Sequence, residues 1–286
     1  MTEFEEYLSE IGRADLIPES QKYLRRLVLL TEKEYPGGEI PVGASKCGGY
    51  PDLPPEIEYP LRPEVRYRRN GGPVQRYDIA GMQLIAQINL RELAESGADP
   101  EHLFPQTGML YFFWSCDGAL FDQSSFTRPD FTIMCFGRDG KILPPEEYRH
   151  QRVIWWDGDM SQLRRTAPPF PYNTEFYEGE KEKGLQEYAI GFAEESEYSN
   201  DIRRYNGPFS ELEEEHDGIF DDIQFHTDKL LGVPTGGNYP ELNDDEVNLL
   251  QFGFQYGCVW NIYWIIKRDD LLRRDFDKAY FDMDVD

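Results

Sequence analysis

Lys46 stands two residues before Gly48-Gly49-Tyr50-Pro51, and a glycine pair beside a lysine is the kind of stretch that cradles phosphate. Successive backbone N–H groups would hold the oxygens and the ammonium would balance their charge. Against that, no helix-opening sequence follows as in a P-loop, and Pro51 removes a donor. We therefore expect the run Gly48-Gly49-Tyr50-Pro51-Asp52-Leu53-Pro54-Pro55 to form a stiff turn, unsuited to a helix or a central strand. Lys46 and Tyr50 remain candidate ligand contacts. Gln87 and Gln251 each sit in an apolar run. Either could reach a ligand from a sheet face, although satisfying a buried backbone group is the preferred reading. Trp264, in the aromatic run 259–266, is the last ligand-binding candidate.

No catalytic set emerges. Ser124, Ser125 and Ser161 lie in no G-x-S-x-G elbow, and no cysteine sits in a protease signature. Cys47, Cys116, Cys135 and Cys258 are far apart without a C-x-x-C pair, which speaks against a zinc ribbon or a dithiol redox motif. Buried free thiols are expected. His102, His150, His216 and His226 are dispersed. His216 and His226 flank Asp217, Asp221 and Asp222, which could hold a metal if folded together, but no H-E-x-x-H or H-x-H spacing supports it. A solvated acidic turn is the reading adopted. Arg138-Asp139-Gly140 is a turn signal, and no calcium-loop pattern occurs. We expect neither metal nor cofactor.

The composition limits the partners. Across 286 residues there are 54 acidic and 29 basic side chains, a formal charge of −25. That balance opposes binding to nucleic-acid phosphates or anionic membranes and steers basic partners inward. With 40% apolar and 14% aromatic residues the chain has ample material for a core, so its charge implies an acidic surface rather than disorder. No apolar run approaches the ~20 residues that span a bilayer. Met1-Thr2-Glu3-Phe4-Glu5-Glu6 has no signal core, and a soluble cytoplasmic protein is expected.

Residues 2–33 read as helical. Thr2 and Glu5 fit a capping box, Phe4, Leu8 and Ile11 share a stripe, and Pro18 opens a second helix burying Tyr23, Leu24, Leu27 and Leu30. Residues 62–76 carry Arg62, Arg66, Arg68, Arg69 and Arg76 around Gly71-Gly72-Pro73. They predict a loop or hairpin whose arginines pair with the protein's own carboxylates. Strands are expected at 83–90, 108–114, 131–136 and 153–156, with Asn89 capping a short helix ended by Gly97. Residues 175–222 hold about 16 acidic and 4 basic side chains interspersed with aromatics, which suggests ordered surface elements or a long excursion.

The landmarks recur. Lys46-x-x-Gly49-x-Pro51 is matched by Lys229-x-x-Gly232-x-Pro234, and 84–87 by 249–251. Gly108 and Gly257 each introduce an aromatic strand. The expected fold is α+β: mainly antiparallel sheets in two related halves, about 40–160 and 223–280, sharing a core behind N-terminal helices, in one domain over 1–286.

Gly48-Gly49-Tyr50-Pro51-Asp52-Leu53-Pro54, Leu84-Ile85-Ala86-Gln87-Ile88-Asn89-Leu90 and Phe104-Pro105 leading to Gly108-Met109-Leu110-Tyr111 resemble the YwqG-like family, a bacterial domain of unknown function. The resemblance continues through Leu230-Leu231-Gly232-Val233-Pro234, Leu249-Leu250-Gln251, Asp270-Leu271 and Asp275-Phe276. The chain departs from the pattern after Pro234, where Thr235-Gly236-Gly237-Asn238-Tyr239 replaces the usual Ile-Gln. The family is distantly similar to programmed-cell-death-2 proteins. That similarity implies a chaperone for a basic ribosomal protein, although the zinc-binding cysteines are missing here; other members resemble immunity partners of secreted toxins. The expectation is a non-enzymatic acidic protein-binding module, immunity-like or chaperone-like, for a basic protein or peptide. A hydrolase using paired carboxylates and an acidic nucleic-acid mimic are the alternatives.

Overall fold

The computed structural model of the chain describes residues 2–116, 131–144, 147–172, 185–199, 202, 209, 210, 212, 216, 226–256 and 259–285. It is built mostly of antiparallel strands with a few short helices, in keeping with an α+β class. At the N-terminus α1 (Glu3–Glu10) carries the expected capping box: Glu5 N–H donates to Thr2 Oγ1 at 3.2 Å and Thr2 N–H to Glu5 Oε2 at 3.0 Å. Phe4 and Leu8 are buried against Tyr198, Ile202, Phe209 and Leu212.

The second expected helix is shorter than its periodicity predicts. Only α2 (Ile17–Ser20) forms, with Pro18 in its first turn; a 3-10 turn follows, and then strand β1 (Leu24–Glu32). The helical reading rests on Tyr23, Leu24, Leu27 and Leu30, but this strand buries apolar side chains on both faces, Val28 and Leu30 on one and Leu27 on the other. An apolar run covered on both sides does not alternate, so periodicity alone cannot separate it from a helix. Pairing on both flanks decides for the strand, because β1 lies at the middle of the main sheet.

The remaining strands of that sheet are β2 (Lys46–Cys47), β3 (Gln83–Asn89), β4 (Met109–Trp114), β5 (Gln151–Trp156), β6 (Tyr188–Tyr198), β7 (Lys229–Leu231), β8 (Glu246–Tyr256), β9 (Val259–Lys267) and β10 (Tyr280–Val285). Their order is β5-β4-β3-β2-β6-β1-β7-β8-β9-β10. Between β3 and β4 lies α3 (Leu90–Ser96), capped by Asn89 and ended by Gly97 at φ +73°, as expected. After β9 comes α4 (Arg268–Leu272).

The sheet curls until its ends meet. Gln151 on β5 donates to Ala279 O at 3.1 Å and accepts from Trp264 Nε1 on β9 at 3.0 Å, while Trp114 stacks on Phe281 at 5.2 Å. One apolar core, running from Val28 through Ile88, Phe112 and Ile262 to Phe276, fills the inside.

A second sheet of four strands holds the basic island. Glu64–Arg69 and Gln75–Tyr77 form the expected hairpin, joined on the other side by Phe131–Phe136. Glu64 accepts from Arg66 at 2.6 Å and from Arg76 at 2.9 Å, so the island pairs in part with its own carboxylates. The acidic stretch 175–222 contributes the whole of β6; much of the rest lies outside the described residues.

Candidate functional site

Lys46 and Gln87 face each other across β2 and β3, and Gln87 in turn faces Tyr111 across β3 and β4. All three are buried. The Gln87 amide closes the turn behind Lys46: its Oε1 accepts from Asp52 N–H at 2.9 Å, and its Nε2 donates to Ala44 O and to Asp52 Oδ2, each at 2.8 Å. Tyr111 donates to Asp52 O at 2.7 Å. Lys46 Nζ donates to Tyr50 O and, at 2.5 Å, to Glu187. Arg165 then links Glu187, at 3.2 Å, to Asp52, at 2.9 Å.

A second array repeats those contacts. Lys229 faces Gln251 across β7 and β8, and Gln251 faces Tyr263 across β8 and β9. Thr235 stands where Asp52 does: its N–H donates to Gln251 Oε1 at 3.0 Å and its carbonyl accepts from Tyr263 at 2.8 Å. The acid differs in origin. Lys229 Nζ lies 2.6 and 2.7 Å from the oxygens of Glu197, near the far end of β6, and both side chains are wholly enclosed.

These arrays are structural machinery. Burial lowers the pKa of both lysines despite their carboxylate partners, a change that would sharpen a nucleophile. Both, however, have 0% of their surface exposed and no solute can reach them. The phosphate cradle is closed as well. Gly48 and Gly49, at φ +64° each, are covered by residues 185–187, and Gly49 N–H donates to Leu185 O at 2.9 Å. Trp264 is buried between Phe112 and Phe281. Thus the structure gathers Lys46, Tyr50 and Gln87 into one array, puts Gln251 in the other, and places Trp264 in the core. Sequence reasoning missed Asp52, Arg165, Glu187 and Glu197, whose partners are distant in the chain.

The enclosed phenols make alkaline stability testable. Burial pushes Tyr111 and Tyr263 well above their ordinary 10.0. Above that pH the unfolded chain loses phenolic protons that the folded chain keeps, so stability falls as pH rises. The lysines act in the opposite sense only below their unfolded pKa of 10.5. Urea melts between about pH 10.5 and 11.5 are expected to show falling midpoints, with phenolate absorbance from these tyrosines arriving only on unfolding. Phenolate signal that Tyr111→Phe or Tyr263→Phe removes from the intact fold would contradict their burial.

One cavity, of about 620 Å³, opens beside the second turn. Arg25 and Arg26 of β1, Leu231 to Pro234, and Glu246 and Val247 of β8 line it, with Tyr239 and Arg268 near its rim. Arg268 is paired with Glu101 at 2.9 Å and Arg26 with Glu194 at 3.6 Å. Among the described residues the carboxylates of Glu241 and Asp244 on the same cavity wall have no hydrogen-bond or ion-pair partner.

Other candidates are not assembled. Cys47, Cys116 and Cys135 are buried without a disulfide. Ser124, Ser125, Cys258 and the aspartates between His216 and His226 lie outside the described residues, and among those described no cluster of His, Cys, Asp or Glu could hold a metal. Nor, among them, is any helix long and apolar enough to cross a membrane.

The fold is thus a rolled antiparallel sheet pinned by buried lysine–glutamine arrays, with an open cleft beside the second. By its sequence the chain belongs to the family described as Domain of unknown function (DUF1963), which it matches over residues 45–285. No curated protein matches it.

Proposed function

We propose that this protein is a binding module for a basic protein or peptide, engaged at the cleft beside Leu231 to Pro234, and that it performs no chemistry on its partner. One contrast carries the reading. Both lysines of the arrays are spent on internal carboxylates, whereas among the described residues Glu241 and Asp244 on the cleft wall are unpaired. Counting the cavity's lining, five carboxylates (Asp99, Glu101, Glu241, Asp244, Glu246) face three guanidinium groups (Arg25, Arg26, Arg268). The net charge of −25 would speed the approach of a cationic partner and weaken with salt. The YwqG-like resemblance, with its immunity-like and chaperone-like relatives, is in keeping with such a role.

The same reading takes the two halves of the sheet as copies of one unit. Reflected about the β6–β1 pair, the order β6-β2-β3-β4-β5 corresponds to β1-β7-β8-β9-β10. Each copy would then begin with a central strand, β1 or β6, that pairs inside the other copy. On this account the copies start earlier than residues 40 and 223.

Binding of lysine-rich and glutamate-rich peptides of matched length is the test. Lysine-rich peptides should bind, about tenfold or more weaker between roughly 50 and 300 mM salt. Glu241→Lys with Asp244→Lys should remove most of that binding while leaving the melting curve unchanged. Salt-independent binding, or equal affinity for both peptides, would overturn the proposal.

A further inference from the structure

β7 is only three residues long, yet it lies between a nine-residue strand, β1, and an eleven-residue strand, β8. It pairs with β1 only over Leu27 to Leu29 and with β8 only at Gln251. Beyond Leu231 the chain turns out of the sheet through two successive left-handed residues, Leu231 at φ +64° and Gly232 at φ +71°. A gap one strand wide is left between the start of β1 and the start of β8. Two strand spacings, about 9.6 Å, separate its walls. The cavity described above occupies this gap, since Arg25 and Arg26 line one side and Glu246 and Val247 the other.

Among the described residues, both walls present main-chain groups without main-chain partners. Leu30 N–H donates to Asp228 O, so residues of the same parity on β1, including Arg26, turn their N–H and C=O toward β7 and its continuation. Likewise Arg268 N–H donates to Asp245 O. Asp245 and Val247 therefore turn toward β9, and Asn248 turns toward the gap. Glu246, of the same parity as Asn248, turns the same way, and a continuation of β7 would run between it and Arg26, but the protein's own chain has left the sheet by then. Asn248 is wholly buried, and its Oδ1 has no hydrogen-bond partner among the described residues although its Nδ2 donates to Leu231 O at 3.2 Å.

The equivalent gap in the other half is closed. There Gly48 and Gly49 make the same left-handed exit, and residues 185–187 collapse onto them. A Cβ on Gly48 would come within 2.1 Å of Gln186 O. The corresponding segment of β1, Arg25 to Leu27, cannot collapse because β6 holds it in register. So the second exit tolerates Leu231, a residue with a side chain in a conformation that costs roughly 1–2 kcal/mol.

From this geometry, and resting on the reading of a basic partner, we infer that the gap receives an extended segment of that partner as an added strand between β1 and β8. At about 160 Å³ per residue of sheet, the cavity holds roughly four residues. Main-chain bonds to Arg26 and to the Glu246 carbonyl, both on the cavity wall, hold the segment. One face meets Leu231 and Val247, while basic side chains at its ends reach Glu241 and Asp244.

The test uses a fluorescent octapeptide of alternating lysine and valine, a copy N-methylated at alternate amides, and a glutamate–valine counterpart. The lysine–valine peptide should bind, N-methylation should weaken it by about tenfold or more, and hydrogen exchange at the Arg26 amide should slow on binding. Leu231→Gly, which relieves the left-handed strain and so keeps the fold, should bind the peptide several-fold more weakly. Binding indifferent to N-methylation, or protection elsewhere, would overturn strand addition but leave the basic-partner reading standing. Equal affinity for the glutamate–valine peptide, with the Arg26 amide protected, would leave strand addition standing and overturn the charge reading. If none of the peptides binds, both fall.

Discussion

Gly48→Ala is expected to destabilise the protein by roughly 3 kcal/mol or more, about 5 °C in Tm. Two costs add. The residue sits at φ +64°, where a side chain costs roughly 1–2 kcal/mol. A Cβ there would also stand 2.1 Å from Gln186 O and 2.7 Å from Gln186 C, backbone atoms that cannot rotate away. Relief requires residues 185–187 to lift off the turn, which would break the Gly49 N–H bond to Leu185 O and disturb Glu187 beneath Lys46. Gly49→Ala is the control. It shares the φ of +64°, but its nearest neighbours, at 2.8 to 2.9 Å, are atoms of the Glu187 side chain. The expected cost is smaller, about 1–2 kcal/mol. Denaturant melts of both variants decide the matter, and equal losses would mean that the covering segment contributes nothing.

That contrast also shows what a sequence reveals. The turns at Gly48 and Gly232 were legible because glycine and proline act locally: the conformations they permit do not depend on distant neighbours. The same holds for the Thr2–Glu5 capping box, the Asn89 cap and the hairpin around Gly71. β1 was misread because burial on both faces erases the alternation that marks a strand, and what covers those faces comes from elsewhere in the chain. The acids of the arrays were hidden for a related reason. Glu187 lies 141 positions from Lys46, and Glu197 sits in a run of acidic residues where nothing distinguishes the one that folding buries. The open cleft was less visible still. It depends on β7 stopping after three residues while its neighbours continue, a matter of strand length and register. In hindsight Leu231 was the one local clue, standing where the first turn has Gly48.

The two lysines should respond unequally to the same substitution. Lys229→Met leaves the Glu197 carboxylate fully enclosed, with only the Val233 N–H at 2.9 Å and the His226 N–H at 3.5 Å to satisfy it. Breaking one side of such a pair typically costs about 3–5 kcal/mol, because the remaining charge stays buried without its counter-ion. Lys46→Met leaves Glu187 in easier circumstances: its side chain is 33% exposed and Arg165 remains 3.2 Å away. Water and a second cation share the burden, so a loss of about 1–2 kcal/mol is expected. The double variant Lys229→Met with Glu197→Gln removes both charges and keeps an acceptor for Val233, and should be more stable than Lys229→Met alone. Urea melts of wild type, Lys229→Met, Glu197→Gln and the double variant supply the cycle, with Lys46→Met measured beside them. A double variant no better than the single would show that the cost lies in packing around Lys229 and not in the stranded charge of Glu197. The tolerance of the first array and the severity of the second then follow from one difference: Glu187 sits at the end of a segment that solvent reaches, whereas Glu197 is sealed by the turn at Gly232, whose Cβ would stand 2.4 Å from its oxygen.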